Sequence, residues 1–131
     1  MEHTTTDAIS WTPQPPDHFT GEVSSGRLHE AGGGGLTVIA VRFSPGARSD
    51  WHHHPDGQVL YIVEGSGLVA TREGQTSRVH AGDVIWAPPG EIHWHGAAED
   101  TAMTNLSLTT GGATVWLPAK VTGEEYQAAT A

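Results

Sequence analysis

Two histidine clusters, WHHHPDGQ at Trp51–Gln58 and EIHWH at Glu91–His95, constrain the fold of this chain more than any other feature. They contain five of its nine histidines. Side chains alternate between the two faces of a β-strand, so residues two apart point the same way. His52 and His54 are therefore expected to share a face, and His93 from a distant strand can complete a set of imidazoles around one transition-metal ion. The first prediction is a mononuclear metal site on a β scaffold.

Composition narrows the class of protein. The chain has 131 residues, the size of a single domain, and no cysteine, so disulfides and thiolate ligands are excluded. Its net charge of −9 argues against nucleic-acid binding, which needs a basic surface. No apolar run is long enough to cross a membrane and no leader pattern is present. We therefore expect a cytoplasmic protein that acts on a small-molecule substrate, with neither nucleic acid nor membrane as a partner.

The order of short segments predicts an all-β protein. Glycine (17 residues) and proline (8 residues) punctuate short β-branched runs. Residues 1–17 are expected to form an extended, partly disordered N-terminal arm that packs across the barrel or onto a second chain, and residues 18–131 a single domain. A loop is predicted over residues 27–35, a single strand over residues 48–54, and a tight hairpin turn over residues 65–67.

The end of the chain carries the one helical signal. Thr122 and Glu125 form a capping-box pattern, which predicts a short helix over residues 124–129. Turn signals recur at the spacing of successive hairpins before that point. The predicted fold is an antiparallel jelly-roll barrel with a short C-terminal helix.

The spacing around the histidines resembles the paired signature of the cupin superfamily, G-x5-H-x-H-x3-E-x6-G and G-x5-P-x-G-x2-H-x3-N. Eight of the ten fixed positions match without gaps: Gly46, His52, His54, Gly65, Gly82, Pro88, Gly90 and His93. Two positions depart from it, since Gln58 stands in place of the usual glutamate ligand and Ala97 in place of asparagine.

This resemblance implies a jelly-roll barrel with a metal ion inside it. The predicted ligands are His52, His54, Gln58 and His93. One divalent transition metal per chain is expected, with Mn favoured and Fe, Ni, Cu or Zn also compatible. The family commonly dimerises through N-terminal strands, which implies a homodimer, and the proline-rich arm would suit that role.

Glutamine at the fourth ligand position has a chemical consequence. A glutamate would cancel one charge of a divalent ion, whereas Gln58 leaves a fully neutral ligand set and the whole double charge. Such a site favours stabilising an anion such as an alkoxide, carboxylate or cyanide. It therefore favours Lewis-acid chemistry over redox chemistry.

A closer resemblance points to one kind of Lewis-acid enzyme. The run GEIHWHGAA at residues 90–98, followed by TAMT at residues 101–104, is similar to bacterial cupin-type hydroxynitrile lyases. The resemblance implies manganese-dependent cleavage or formation of cyanohydrins such as mandelonitrile. Those enzymes carry a further pocket histidine after the TAMT run, where this chain has Asn105, which cannot take up a proton.

Candidate catalytic and pocket residues follow from the same strands. His95 shares a face with His93 and is the candidate general base, or else a residue that hydrogen-bonds a ligand, and Asn105 is expected to orient substrate. Alternation along the strands predicts four residues of the substrate pocket, and Trp94 is a fifth candidate, although packing in the core would equally explain a tryptophan there. The predicted pocket residues are Ile39, Val41, Leu60, Trp94 and Thr109.

Other functions fit the same site. A three-histidine cupin can be a dioxygenase or another oxidoreductase, which would consume O2. It can also be an isomerase, decarboxylase or cyclase, or a small-molecule-binding protein without turnover. The fold hosts all of these, so the fold cannot choose among them.

Overall fold

The computed structural model describes residues 1–130, and over these residues the fold is an antiparallel β-barrel closed by one short helix. A 3-10 turn at Thr6–Ala8 precedes the first strand. The strands are β1 (Thr12–Pro13), β2 (Phe19–Thr20), β3 (Val23–Glu30), β4 (Thr37–Phe43), β5 (Arg48–Ser49), β6 (His52–His53), β7 (Gln58–Thr71), β8 (Thr76–His80), β9 (Val84–Ala87), β10 (His93–Ala97), β11 (Met103–Thr109) and β12 (Val115–Trp116), and the helix is α1 (Gly123–Thr130). The predicted all-β barrel with a short C-terminal helix is confirmed.

Strand β7 connects the two halves of the barrel. Its first half pairs with β11 and β9, and its second half pairs with β10 and β8. The predicted hairpin turn at residues 65–67 is wrong, because the chain runs straight through it. Gly65 has φ +79° at the point where β7 changes partners, and a Cβ there would collide with the carbonyl oxygen of Ala102. This glycine lets one strand pass from one sheet to the other.

Two further strand predictions need correction. The loop expected over residues 27–35 begins only after Glu30, because β3 continues alongside β4 with Arg27 opposite Ile39. Pairing with a neighbouring strand satisfies the backbone of a sequence that has little β preference of its own. The single strand expected over residues 48–54 is two short strands, β5 and β6, separated at Asp50 and Trp51.

The apolar side chains form two clusters. The first fills the barrel interior and includes Phe43, Leu60 and Ile62. The second lies outside the β10 half, where α1 covers the sheet with Tyr126 and Ala129. The capping box is present, since Thr122 Oγ1 accepts a hydrogen bond from the Glu125 N–H at 3.0 Å and Glu125 Oε1 accepts one from the Thr122 N–H at 2.9 Å.

The N-terminal arm lies along its own barrel. β1 pairs with Ser24 and Ser25 of β3, and the Arg42 guanidinium lies 4.1 Å from the centre of the Trp11 ring. In the described chain the arm therefore lies across its own barrel, and its contact with a second chain stays a prediction. No helix among the described residues is long and apolar enough to cross a membrane, and the cytoplasmic location stays a prediction.

Candidate metal centre

Three buried histidines lie together on two adjacent strands, β6 and β10. β10 runs between β6 and β7, and His93 lies directly opposite His52. Alternation along β10 turns His95 to the same side, into the barrel. The donor nitrogens of His52, His93 and His95 lie within 4.8 Å of one another, and all three side chains are buried. The structure therefore brings together three histidines in positions to bind one metal ion.

Backbone carbonyls fix how two of these imidazoles present themselves. His52 Nδ1 donates to the Asp50 carbonyl oxygen at 2.8 Å, and His93 Nδ1 donates to the Glu91 carbonyl oxygen at 2.9 Å. A carbonyl can only accept, so the proton is on Nδ1 in both rings. Each Nε2 is then left with a free lone pair. This is the arrangement in which metal-binding histidines are usually held.

Gln58 supplies the clearest sign that a cation belongs here. Its Nε2 donates to Ser107 Oγ at 2.7 Å, which turns its Oε1 toward His93 Nε2 at 3.1 Å. Both facing atoms are acceptors, so they repel unless something positive lies beside them. A cation bound beside them would satisfy the lone pairs of both atoms, and an amide oxygen and an imidazole nitrogen are both donors that divalent transition metals accept.

His54 also belongs to this cluster. Its ring centroid is 5.2 Å from that of His52 and 5.8 Å from that of His93, and its Nε2 has no hydrogen-bond partner among the described residues. The predicted ligand set, His52, His54, Gln58 and His93, is thus gathered at one place. Its assignment stays a prediction, and His95 is close enough to be a competing ligand.

Burial keeps these imidazoles neutral. Desolvation, followed by the neighbouring histidines, lowers the pKa of His52 and His95 well below the usual value. Desolvation also lowers the pKa of His93, and it lowers the pKa of His54 to about 4. A neutral imidazole is the form that binds a metal or accepts a proton, so the whole cluster is ready for either role at neutral pH.

A cavity of about 240 Å³ opens onto the cluster. Ile39 and Val41, both predicted from strand alternation, lie on its wall. Much of the remaining wall was not foreseen: Phe19 and His18 from the arm side, and Trp116 from β12. His18 stacks on Trp116 with ring centroids 4.3 Å apart. Phe19 and Trp116 lie on strands of only two residues, and His18 precedes the first of these, so no alternation in the sequence could reveal which way they point.

Three predicted pocket residues do not line this cavity. Trp94 belongs to the cluster under α1, because the alternation that turns His93 and His95 inward turns Trp94 outward. Leu60 points inward as expected but lies deeper, packed in the barrel core with no exposed surface. Thr109 lies at the end of β11, and Ser107 takes the place on the wall that was expected for it.

Asn105 and His95 are adjoining buried residues whose side chains have polar atoms without a hydrogen-bond partner among the described residues. Asn105 is fully buried, and neither its Oδ1 nor its Nδ2 makes a hydrogen bond within the described chain. His95 Nδ1 has no partner either, although the adjoining Asn105 amide offsets part of the lowering of its pKa. Leaving such groups unsatisfied costs about 1–3 kcal/mol each. This cost suggests that a ligand or an ordered water completes the pair.

The fold and the site together define a small barrel protein with histidines gathered for a metal. The family model described as Cupin domain matches residues 39–109, and the chain belongs to this family. A curated relative, the (R)-mandelonitrile lyase of Granulicella tundricola, is 44% identical over 117 residues, which cover 86% of this chain and 88% of the relative.

Solved structures agree with this assignment. A cupin-like protein of Thermotoga maritima superposes with a TM-score of 0.85 at 38% identity, covering 90% of this chain and 92% of the other. A polyketide cyclase of Streptomyces resistomycificus gives a TM-score of 0.77 at 16% identity, covering 99% of this chain and 96% of the other. The second likeness is one of fold alone.

Proposed function

We propose that this protein is a metal-dependent carbon–carbon lyase of the hydroxynitrile lyase type, which cleaves or forms a cyanohydrin. The observation that carries the proposal is the pair of facing acceptors, Gln58 Oε1 and His93 Nε2, in a histidine cluster. The 44% identity to a protein named (R)-mandelonitrile lyase supports the choice of reaction.

The ion would be held by His52, His54, Gln58 and His93, and we propose manganese. When bound, a divalent ion supplies a Lewis acid that stabilises negative charge on a substrate oxygen. Gln58 keeps the ligand set neutral, so its substitution for glutamate leaves that positive charge undiminished. Hydrogen bonds from Nδ1 of His52 and of His93 to backbone carbonyl oxygens hold both imidazoles in the tautomer that leaves Nε2 free to bind a metal.

His95 is the proposed general base. It is neutral, buried and inward-facing, and its Nδ1 is unpartnered. In cleavage, His95 takes the proton of the cyanohydrin hydroxyl. The bond between the carbinol and nitrile carbons then breaks, the oxygen electrons form the aldehyde carbonyl, and the bond electrons leave with cyanide. His95 returns the proton to give hydrogen cyanide, and Asn105 orients the substrate from the adjoining position.

The cavity wall suits an apolar substituent on the substrate. Phe19, Ile39, Val41 and Trp116 surround a space of about 240 Å³, enough for one small aromatic or branched aldehyde. Apolar walls exclude water, which strengthens the electrostatic interactions inside the site.

The test combines metal content with product detection. Wild-type protein is expected to hold about one equivalent of transition metal by elemental mass spectrometry, and to release cyanide from mandelonitrile without consuming O2. His52→Ala removes a ligand and is expected to lose the metal and the activity. The matched variant His95→Ala is expected to keep the metal and lose about 10²–10⁴-fold in kcat, the usual contribution of a general base.

Each result discriminates. Loss of metal in His95→Ala would assign His95 as a ligand and leave the reaction without its base. A wild-type protein that binds no metal after reconstitution would overturn the proposal. A second candidate, a dioxygenase, is favoured by the three clustered imidazoles alone, and O2 uptake without cyanide release would select it.

A further inference from the structure

The only lysine of this chain, Lys120, lies beside the metal centre without facing it. Its Nζ lies 3.1 Å and 3.2 Å from the two carboxylate oxygens of Asp50. The same nitrogen donates to the Pro16 carbonyl oxygen, and to that of Phe19 at 3.3 Å. One ammonium group thus joins three separate stretches of chain: residues 16–19, where the arm leads into β2, the segment between β5 and β6, and the segment before α1.

Asp50 connects this ammonium to the site. Its carboxylate is 4% exposed, so it depends on Lys120 for its charge partner, whereas the lysine side chain is 49% exposed. Its carbonyl oxygen accepts the Nδ1 proton of His52, and its own N–H donates to the His18 carbonyl oxygen at 2.9 Å. The residue that holds the tautomer of His52 is therefore the residue that Lys120 fixes in place.

Residues 16–19, at the end of the arm and the start of β2, are fixed at the same point. Pro16 and Phe19 offer their carbonyls to Lys120, and His18 and Phe19 lie on the cavity wall. His18 stacks on Trp116, and the ring centroid of Trp116 lies 4.8 Å from that of His52. This stacking places the cavity wall against His52, the proposed metal ligand. The orientation of His52 and the position of the wall thus share one electrostatic anchor.

We propose that Lys120 is a positioning residue, which acts through the Asp50 carboxylate to orient His52 for the metal and to hold residues 16–19 as a wall of the substrate cavity. The orientation of His52 for a metal rests on the proposed function, whereas the holding of residues 16–19 does not. A buried carboxylate that loses its counter-charge is strongly destabilised where it lies. It would turn toward water, and the Asp50 backbone with its bond to His52 would move too.

The experiment compares Lys120→Met, which keeps the length of the side chain without its charge, with Lys120→Arg, which keeps the charge. The control is Thr122→Ala, two residues away, which removes the cap of α1, because the Thr122 hydroxyl accepts its hydrogen bond from the Glu125 N–H. The readouts are the Kd for Mn²⁺ by competition with a chelator, the absorption spectrum of the Co²⁺-loaded protein, and hydrogen exchange over residues 14–20.

Lys120→Met is expected to bind Mn²⁺ about 10-fold more weakly, the lower end of the effect of losing a partner that orients a ligand. Its Co²⁺ spectrum is expected to change and its exchange over residues 14–20 to be faster. Lys120→Arg is expected to restore all three, and Thr122→Ala to lower Tm while leaving all three unchanged.

Two results would overturn the inference: wild-type affinity and exchange in Lys120→Met, or equal losses in Thr122→Ala, which would mean general destabilisation. A wild-type protein that binds no metal would count against the proposed function instead. In that case faster exchange confined to Lys120→Met would still support the anchoring of the arm, and unchanged exchange would refute it.

Discussion

Asn105 stands where the resemblance to hydroxynitrile lyases led us to expect a histidine, and it has no hydrogen bond in a fully buried position. An amide there can orient a substrate but cannot exchange a proton. A histidine would offer a second proton acceptor beside His95. We expect Asn105→His to raise kcat for cyanide release from mandelonitrile by about 10-fold or more, within the usual range for acid–base groups.

The measurement is steady-state kinetics at matched metal content. Asn105→Leu is the control, because it fills a similar volume without polar atoms and is expected to lower activity. If Asn105→His were no more active than Asn105→Leu, position 105 would not contribute proton transfer in this chain. Equal activity of all three proteins would remove Asn105 from the list of site residues.

Single-residue positions were predictable where spacing decides them, although the roles of these residues stay predictions. Alternation along a strand put His95 on the same side as His93, and the structure brings both close to His52. Trp94 was wrongly expected in the pocket because it is next to His93 in the sequence. Alternation along β10 turns His93 inward and therefore turns Trp94 to the opposite face. Trp116 lay beyond sequence reasoning altogether, because only the folded chain brings β12 against β6.

At the scale of elements, strand β7 depends on one glycine. Gly65 combines φ +79° with a close approach to the Ala102 carbonyl, at the point where the strand leaves β11 for β10. A side chain there is strained by both its backbone conformation and its lack of space. We expect Gly65→Ala to lower the free energy of unfolding by about 2–4 kcal/mol.

Urea unfolding followed by tryptophan fluorescence would check this value. Gly74→Ala is a matched control, because Gly74 has φ +102° but an open surrounding, so it carries the backbone strain without the collision. A loss no larger in Gly65→Ala than in Gly74→Ala would contradict the role of the close approach.

Gly65 also explains why the sequence wrongly predicted a hairpin turn over residues 65–67. A Gly-Ser-Gly run between two apolar runs is the usual signal of a hairpin turn, and here it marks a crossing between sheets. The signal gave the right place for an irregularity and the wrong geometry, because the partners that keep β7 extended, β10 and β11, lie far away in sequence. By contrast, α1 was predictable, since its capping box is local.

On the scale of the whole molecule, the outer face of the β11–β7–β9 sheet is apolar and only half covered. The arm packs over the side toward β3 and β4, where Ile9 and Trp11 lie against Ala40 and Arg42. The opposite half is bare. Tyr61 pairs across strands with Val84 and Leu106, and its neighbour Val59 pairs with Trp86 and Leu108.

We propose that a second copy of this chain covers that bare face, which places the expected homodimer interface there and not at an exchanged arm. Trp86 is 55% exposed and Val84 65% exposed. Together with Tyr61, which is 42% exposed, they form an exposed apolar patch of the kind that marks interaction sites. A twofold axis would bring the same patch of each copy into contact. The paired residues named on this face are uncharged, whereas the chain as a whole has a net charge of −9. That charge opposes association of two copies through other faces.

Trp86→Glu introduces a charge at the centre of that face, and in a twofold dimer it does so twice. We expect the wild-type protein to be a dimer and Trp86→Glu a monomer by size-exclusion chromatography with light scattering. Leu36→Glu, at another exposed apolar position, in the loop before β4, is expected to remain a dimer. A monomeric wild type, or a Trp86→Glu protein that stays dimeric, would refute this interface. Because neither position lines the metal cavity, the metal content per chain is expected to stay the same in all three proteins, so that loss of the dimer can be told apart from loss of the site.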